Sequence, residues 1–447
     1  MSVSYVCRHV FFCSVCAFLA CGAALGQDAA WYTPQIIDQP ESALLDTEGA
    51  GQLYRVGEHF VCVMEGTPAE MGFQQGRLLA PRIHHVIKEG YMQKTLWDQG
   101  YTREYVMMQS ERMEKRFPPE YVEEMQGMVN GLRAAGVDDI TYEEVRLGVT
   151  QAEILHYEPD APPGCSNFAV WGKWTTDGRL LHGRNLDWNI GADAQDDAVI
   201  LVWRPAGGTP FMMIGWAGGI GSVSGMNAKG ITIGEMTLPS PNGTFDGLPL
   251  FLTMRRVLEK ASNVEEAVAI IRDAPHTRGW NYIIGDGAAP DGRAMEVDAK
   301  GADVYAPLDP REGPETQHES LEDAVRRTNH PVGKDRLMEL ALTMGPEHGI
   351  NVKTWDELTL LFPLVKSINT FARYDWLGQQ IKARPGAIDV PQALELLCNG
   401  PVFNDGTLHS WVFDPRAKAA YVANAGNNPP STATRRPFTR IDFSPWF

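Results

Sequence analysis

Beyond residue 26 the chain holds only three cysteines, Cys62, Cys165 and Cys398, and no two of them are close in sequence. That excludes a disulfide-dominated miniprotein, and because three is odd, at least one thiol stays unpaired within the chain. Paired cysteines and the two-histidine helical zinc pattern are missing, so no metal site is expected. The glycines of Gly215-Trp216-Ala217-Gly218-Gly219-Ile220-Gly221 lack the spacing of a dinucleotide fingerprint or a phosphate loop, and no helix start follows them. No cofactor is expected either. The absence of G-x-S-x-G around Ser222 or Ser224 disfavours a serine hydrolase of the elbow type. Basic runs are absent too. With 39 Lys plus Arg against 56 Asp plus Glu the net charge is −17, a balance that repels phosphate backbones and argues against nucleic acid as a partner.

Long hydrophobic runs are confined to the start of the chain. Residues 1–26 carry one charge, Arg8, then an apolar stretch over 10–25 and the ending Ala24-Leu25-Gly26, which is the pattern of a secretory signal cleaved before Gln27. The stretch is short for a membrane span, and no later run is long enough. A periplasmic or secreted protein is therefore expected, a lipid- or membrane-anchored form being the alternative. Cys7, Cys13, Cys16 and Cys21 would leave with the signal.

What is present is a chain of 447 residues, 44% hydrophobic, with ample material for a core. Residues 52–65 alternate loosely and read as a strand. Thr67-Pro68-Ala69-Glu70 then supplies an N-cap, a first-turn proline and a capping carboxylate, and Thr141-Tyr142-Glu143-Glu144 is a second capping box. Several helices are expected from 71 to about 153. The texture changes at Pro162-Pro163-Gly164, after which short Val-, Ile-, Trp- and Phe-rich runs separated by turn signals read as an antiparallel meander to about residue 238. Helices follow near 251–259, 264–272, 334–342, 355–361 and 390–397. Strands are expected at 280–285, 294–297 and 302–305, with a terminal hairpin at 410–413 and 419–422. Strands in runs and helices in runs argue for an α+β layered fold.

The chemistry concentrates at Gly164-Cys165-Ser166-Asn167-Phe168, a strand, the Asp177-Gly178 turn, and a second strand with Gly183-Arg184-Asn185-Leu186-Asp187-Trp188. In a hairpin, Arg184 and Asp187 could reach the Cys165 sulfur. A permanent cation favours a thiolate, and a carboxylate can hold an ammonium group. The competing reading is a buried cysteine beside a structural Arg-Asp pair.

This series resembles the autoproteolytic penicillin acyltransferase-like (acyl-coenzyme A:6-aminopenicillanate acyltransferase) family of N-terminal-nucleophile cysteine hydrolases, which is related to the choloylglycine hydrolases and acid-ceramidase-like amidases. Further pieces occur in family order: Gly66-Thr67-Pro68-Ala69-Glu70-Met71-Gly72 with Gln75-Gly76, Asn227-Ala228-Lys229-Gly230, Thr328-Asn329-His330-Pro331 and Ala372-Arg373-Tyr374. The resemblance implies a four-layer αββα fold and three regions: a signal peptide at 1–26, a mainly helical prosegment at 27–164 and a catalytic chain at 165–447. It implies self-cleavage between Gly164 and Cys165, the N-terminal fragment remaining as a partner. Cys165 would then be nucleophile and, through its freed amine, base. Such an amine has a reference pKa of about 7.7 to 8, so no histidine is required.

By the same resemblance Arg184 and Asp187 flank the nucleophile, Asn329 donates to the oxyanion and Arg373 supports the site. Thr237 stands where bile-salt-type relatives have Asn, so it can offer its backbone N–H. For His330 a structural role outweighs catalysis. The activity implied is amide hydrolysis or acyl transfer on small N-acyl compounds. The alternatives are a phospholipase-B-like lipid acyl-ester hydrolase and a catalytically silent binding or scaffold protein.

Overall fold

The computed structural model describes residues 30–155, 164–188, 192–221, 223–366, 368–427 and 429–447. The signal-peptide reading of 1–26 lies outside these residues. Backbone contacts divide the chain into Met1–Thr33 and Pro34–Phe447, and all elements below belong to the second unit.

Two large sheets organise it. The ten-stranded sheet runs, in spatial order, Gly301–Tyr305, Asp291–Asp298, Trp280–Asp286, Ile231–Thr237, Ser224–Asn227, Phe211–Trp216, Ala198–Pro205, His59–Gly66, Gly51–Val56 and Ser42–Glu48. The seven-stranded sheet runs Ile36–Ile37, Phe438–Asp442, Ala419–Asn424, Thr407–Asp414, Gly178–Asp187, Ser166–Gly172 and Ala324–Arg327. Side-chain alternation decides how they stack, because successive residues of a strand face opposite sides. In His59–Gly66, Val61 and Val63 join Ile200, Val202, Trp411, Phe413 and Val422 in a core between the two sheets. The intervening Cys62 and Met64 face away, towards a core shared with Met71, Met125 and Met128 of the N-terminal helices. Helices Val390–Cys398 and Asn369–Lys382 pack on the other sheet. The result is the four-layer αββα arrangement.

The expected antiparallel meander over 165–238 is a correction. Ser166–Gly172 and Gly178–Asp187 form a hairpin in the seven-stranded sheet, whereas Ala198–Pro205 onwards belongs to the ten-stranded one. Its first strand, Ala198–Pro205, pairs in parallel with His59–Gly66. Register with a strand over 130 residues earlier is a tertiary choice that local turn signals do not encode. Both capping boxes form, on helices Pro68–Leu78 and Tyr142–Ile154.

The N-terminal region is bound to the rest through buried charge. Arg255 lies between Glu124 and Glu259, donates to the Ile220 carbonyl at 2.7 Å, and stacks near the Tyr121 and Trp203 rings. Trp203 donates to Glu124 at 2.8 Å. Removing one partner of a buried pair strands the other charge. Glu124→Ala is therefore expected to cost about 3 kcal/mol of unfolding free energy in urea titrations, and a loss under about 1 kcal/mol would contradict it.

Candidate active site

The hairpin positions the nucleophile. Ser166 pairs with Asn185 and Asn167 with Arg184, so Cys165, just ahead of the first strand, lies beside the end of the second. Its side chain is buried, and Arg184 Nη2 stands 3.5 Å from Sγ. Burial pushes the Cys165 thiol up to about 11; Arg184 pulls it down, and the carboxylates of Glu235 and Asp187 push it further up. With its peptide bond to Gly164 intact, the thiol is thus protonated near neutral pH.

Arg184 is fully buried between the sheets. It donates to the Glu235 carbonyl (2.7 Å), the Glu235 carboxylate (2.9 Å) and Ser224 Oγ (2.7 Å), and lies 3.3 Å from His409 Nε2. Gly234 permits this approach: a Cβ there would sit 3.1 Å from Arg184 Cδ and 2.4 Å from Asn167 Nδ2. Burial raises the Glu235 carboxyl to about 7 against the pull of Arg184, and raises Asp187 to about 6 against Thr407, Arg373, Asn404 and Arg184. Asp187 Oδ1 accepts from Thr407 Oγ1 at 2.6 Å, while its Oδ2 is buried with no hydrogen-bond partner. Asp187 is near enough to act electrostatically on the Cys165 thiol, and a carboxylate so placed favours an ammonium at that residue.

A second group comes from one turn of helix Asn369–Lys382. Arg373 donates to the Cys165 carbonyl, to Ser166 Oγ (2.9 Å) and to Asn329 Oδ1 (3.0 Å). Thr370 Oγ1 accepts the Asn329 backbone N–H at 2.8 Å. Asn329 Nδ2 donates to the Thr237 carbonyl at 2.9 Å. Asn329 also abuts the expected cleavage position: a Cβ added to Gly164 would lie 2.7 Å from its Oδ1. All six expected site residues, Cys165, Arg184, Asp187, Thr237, Asn329 and Arg373, thus fall in one connected set.

His330 lies apart from the sulfur's contacts. Its Nδ1 is 2.9 Å from Thr370 Oγ1, its Nε2 is 2.9 Å from His318 Nε2, and its ring stacks on Phe371. Burial holds it neutral. Cys62 and Cys398 are free and buried, their thiols pushed to about 12 by burial; at Cys398 the pull of Arg435 is opposed by Glu395.

Glu235, Ser224, His409, Thr370 and Thr407 are additions to the sequence reading. Only Glu235 carries a signal there: a carboxylate in the apolar strand Ile231–Thr237 requires a buried cation or a raised pKa. No group of His, Cys, Asp and Glu able to hold a metal occurs among the described residues.

An internal cysteine opens a strand of a four-layer αββα sandwich, with an arginine on its sulfur and a carboxylate beside it, and the comparisons with known proteins point to acyltransferases and amidases. Residues 174–340 match the family model described as Acyl-coenzyme A:6-aminopenicillanic acid acyl-transferase. Among curated proteins, an uncharacterized protein of Archaeoglobus fulgidus is 28% identical over 260 residues, 53% of this chain and 43% of the relative. The Acyl-coenzyme A:6-aminopenicillanic-acid-acyltransferase 40 kDa form of Emericella nidulans is 28% identical over 219 residues, 48% of this chain and 56% of its own. The chain thus spans about half the length of these two relatives. A solved structure, the Caenorhabditis elegans N-acylethanolamine-hydrolyzing acid amidase (NAAA) ortholog, shares 17% identity at a TM-score of 0.39, covering 56% of this chain and 93% of that one.

Proposed function

We propose that the protein is an exported, self-processing amidohydrolase or acyltransferase that cleaves linear amide bonds of small N-acyl compounds through a thioester on Cys165. The observation that carries this reading is the set of contacts converging on Cys165: Arg184 on its sulfur, Arg373 on its carbonyl, and Asn329 against Gly164. In the first step the thiol attacks the Gly164 carbonyl, the acyl group shifts to sulfur, and water releases residues 27–164. The freed amine, held by Asp187, then takes the thiol proton during attack on substrate. The tetrahedral oxyanion receives hydrogen bonds from Asn329 Nδ2 and the Thr237 backbone N–H. Collapse passes the proton to the leaving amine, and water or an acceptor amine takes the acyl group.

Intact-mass analysis after mixing with N-acyl amines tests the reading: a Cys165-linked acyl adduct on a chain beginning at Cys165 is expected. A folded chain still joined at Gly164-Cys165 that takes no acyl group would overturn it, and fatty-acid release from phospholipids alone would move the activity to ester chemistry.

The Asp187 carboxyl adds a pH dependence. It must be ionised to hold the ammonium; burial holds it at about 6 before cleavage and a neighbouring ammonium lowers it, while the carboxylate in turn raises the amine, so kcat/KM is expected to fall as pH drops through the amine's range at about 8. An Asp187→Asn variant whose acid limb is not displaced to lower pH would remove Asp187 from this role.

A further inference from the structure

A small cavity of about 60 Å³ lies between the N-terminal helices and the glycine-rich segment that fits no nucleotide motif. Its walls include Val86 and Met92 from the π-helical segment His85–Trp97, Val145 and Gly148 from helix Tyr142–Ile154, and Trp188 and Trp216. The two tryptophans tie it to the nucleophile. Trp188 follows Asp187, whose backbone hydrogen-bonds the Cys165 thiol. Trp216 stacks on His409 with ring centroids 5.9 Å apart, and His409 contacts the same Arg184 that lies on the sulfur.

Gly148 is the informative wall residue. A glycine inside a helix is unfavourable relative to alanine and needs a reason. Gly72, Gly76, Gly127 and Gly131 have one, since a Cβ on each would strike backbone of the facing helix at 1.9–2.2 Å. A Cβ on Gly148 meets nothing within 4 Å. Packing does not demand this glycine, and a side chain there would project into open space. Gln151 is the polar exception in a mainly apolar lining: it borders the same cavity, is 8% exposed, and its Oε1 has no hydrogen-bond partner.

We propose that this cavity receives the apolar acyl group of the substrate, that Gly148 sets how long that group can be, and that the N-terminal region is therefore a permanent wall of the substrate site. The proposal rests on the amide-acyl reading above. The volume has room for about four to six water-sized atoms, which corresponds to short acyl groups.

The test uses acyl p-nitroanilides of two to ten carbons with the purified wild-type protein, Gly148→Ala and Gly148→Leu. In Gly148→Leu the ratio of kcat/KM for hexanoyl over acetyl is expected to fall at least tenfold, with Gly148→Ala intermediate and both variants melting no lower than wild type. An unchanged ratio, or a wild-type preference for decanoyl, would overturn the proposal. Calorimetric binding of hexanamide separates it from the catalytic reading, because binding needs no turnover. At least tenfold weaker binding to Gly148→Leu supports the cavity even if no anilide is cleaved, in which case the catalytic reading alone fails; equal affinities refute the cavity whatever the activity does.

Discussion

Cys165→Ala is expected to abolish both release of an N-terminal fragment and turnover of any N-acyl substrate, a loss on the order of 10⁴-fold or more. The size of the effect follows from the double duty of the residue: the thiol is the nucleophile, and its own amine, once free, is the base. No neighbouring group can replace either. His409 is buried, neutral and engaged with Arg184, and His182 is held between Thr232 and Asn167, its pKa lowered to about 3 by burial. The substitution deletes one buried sulfur and leaves Arg184 paired with Glu235, so the fold should persist. Denaturing gels and kcat/KM on the same preparation read the two losses together. Cys62→Ala and Cys398→Ala are the controls, since that arginine acts on neither thiol and burial keeps both protonated; activity lost there and kept in Cys165→Ala would reassign the nucleophile.

Asn329→Ala is expected to lower kcat by about 10²–10³ with a smaller change in KM. An amide nitrogen has two hydrogens, and one of them on Asn329 is taken by the Thr237 carbonyl. The other is available to an oxyanion. Its aim is fixed from two sides, by Arg373 on Oδ1 and by Thr370 on the backbone N–H, so its orientation is set before substrate arrives. The Thr237 backbone donor survives the substitution, which keeps the loss short of that for Cys165. A kcat within threefold of wild type would exclude Asn329 from oxyanion binding, and loss in KM alone would make it a ground-state contact.

The legible parts of this molecule are those whose cause is local. The capping boxes at Thr67 and Thr141 announce their helices because the satisfying groups are three residues apart. Helix Val264–Arg272 is read at its observed bounds, since Asn263 caps it. The Asp177-Gly178 turn likewise fixes the hairpin that brings Arg184 to Cys165, with Gly178 at φ +74°. Helix Asn369–Lys382 has no such announcement: its N-cap is Ile368, with no side-chain cap, and it is missing from the pattern reading. Arg373 is reachable in sequence only through family resemblance, while Thr370 carries no signal at all. Nor does any local feature say that the strands after Asp187 leave one sheet for the other. That partition depends on pairing with His59–Gly66, a long-range match of two apolar faces. Glu235 is the intermediate case, visible as an anomaly in its strand and explained only when Arg184 arrives across the sandwich.

The parallel pairing of His59–Gly66 with Ala198–Pro205 carries one further consequence. The three strands spanning 42–66 precede the expected scission point but complete a sheet whose remaining strands follow it. If the two pieces were separated, Ala198–Pro205 would become an open edge bearing Val199, Leu201 and Trp203, a template for aggregation. Folding would then no longer be a unimolecular event for the processed protein. Recovery from denaturant should depend on protein concentration after cutting and be independent of it before, making scission a one-way step in assembly as well as in chemistry.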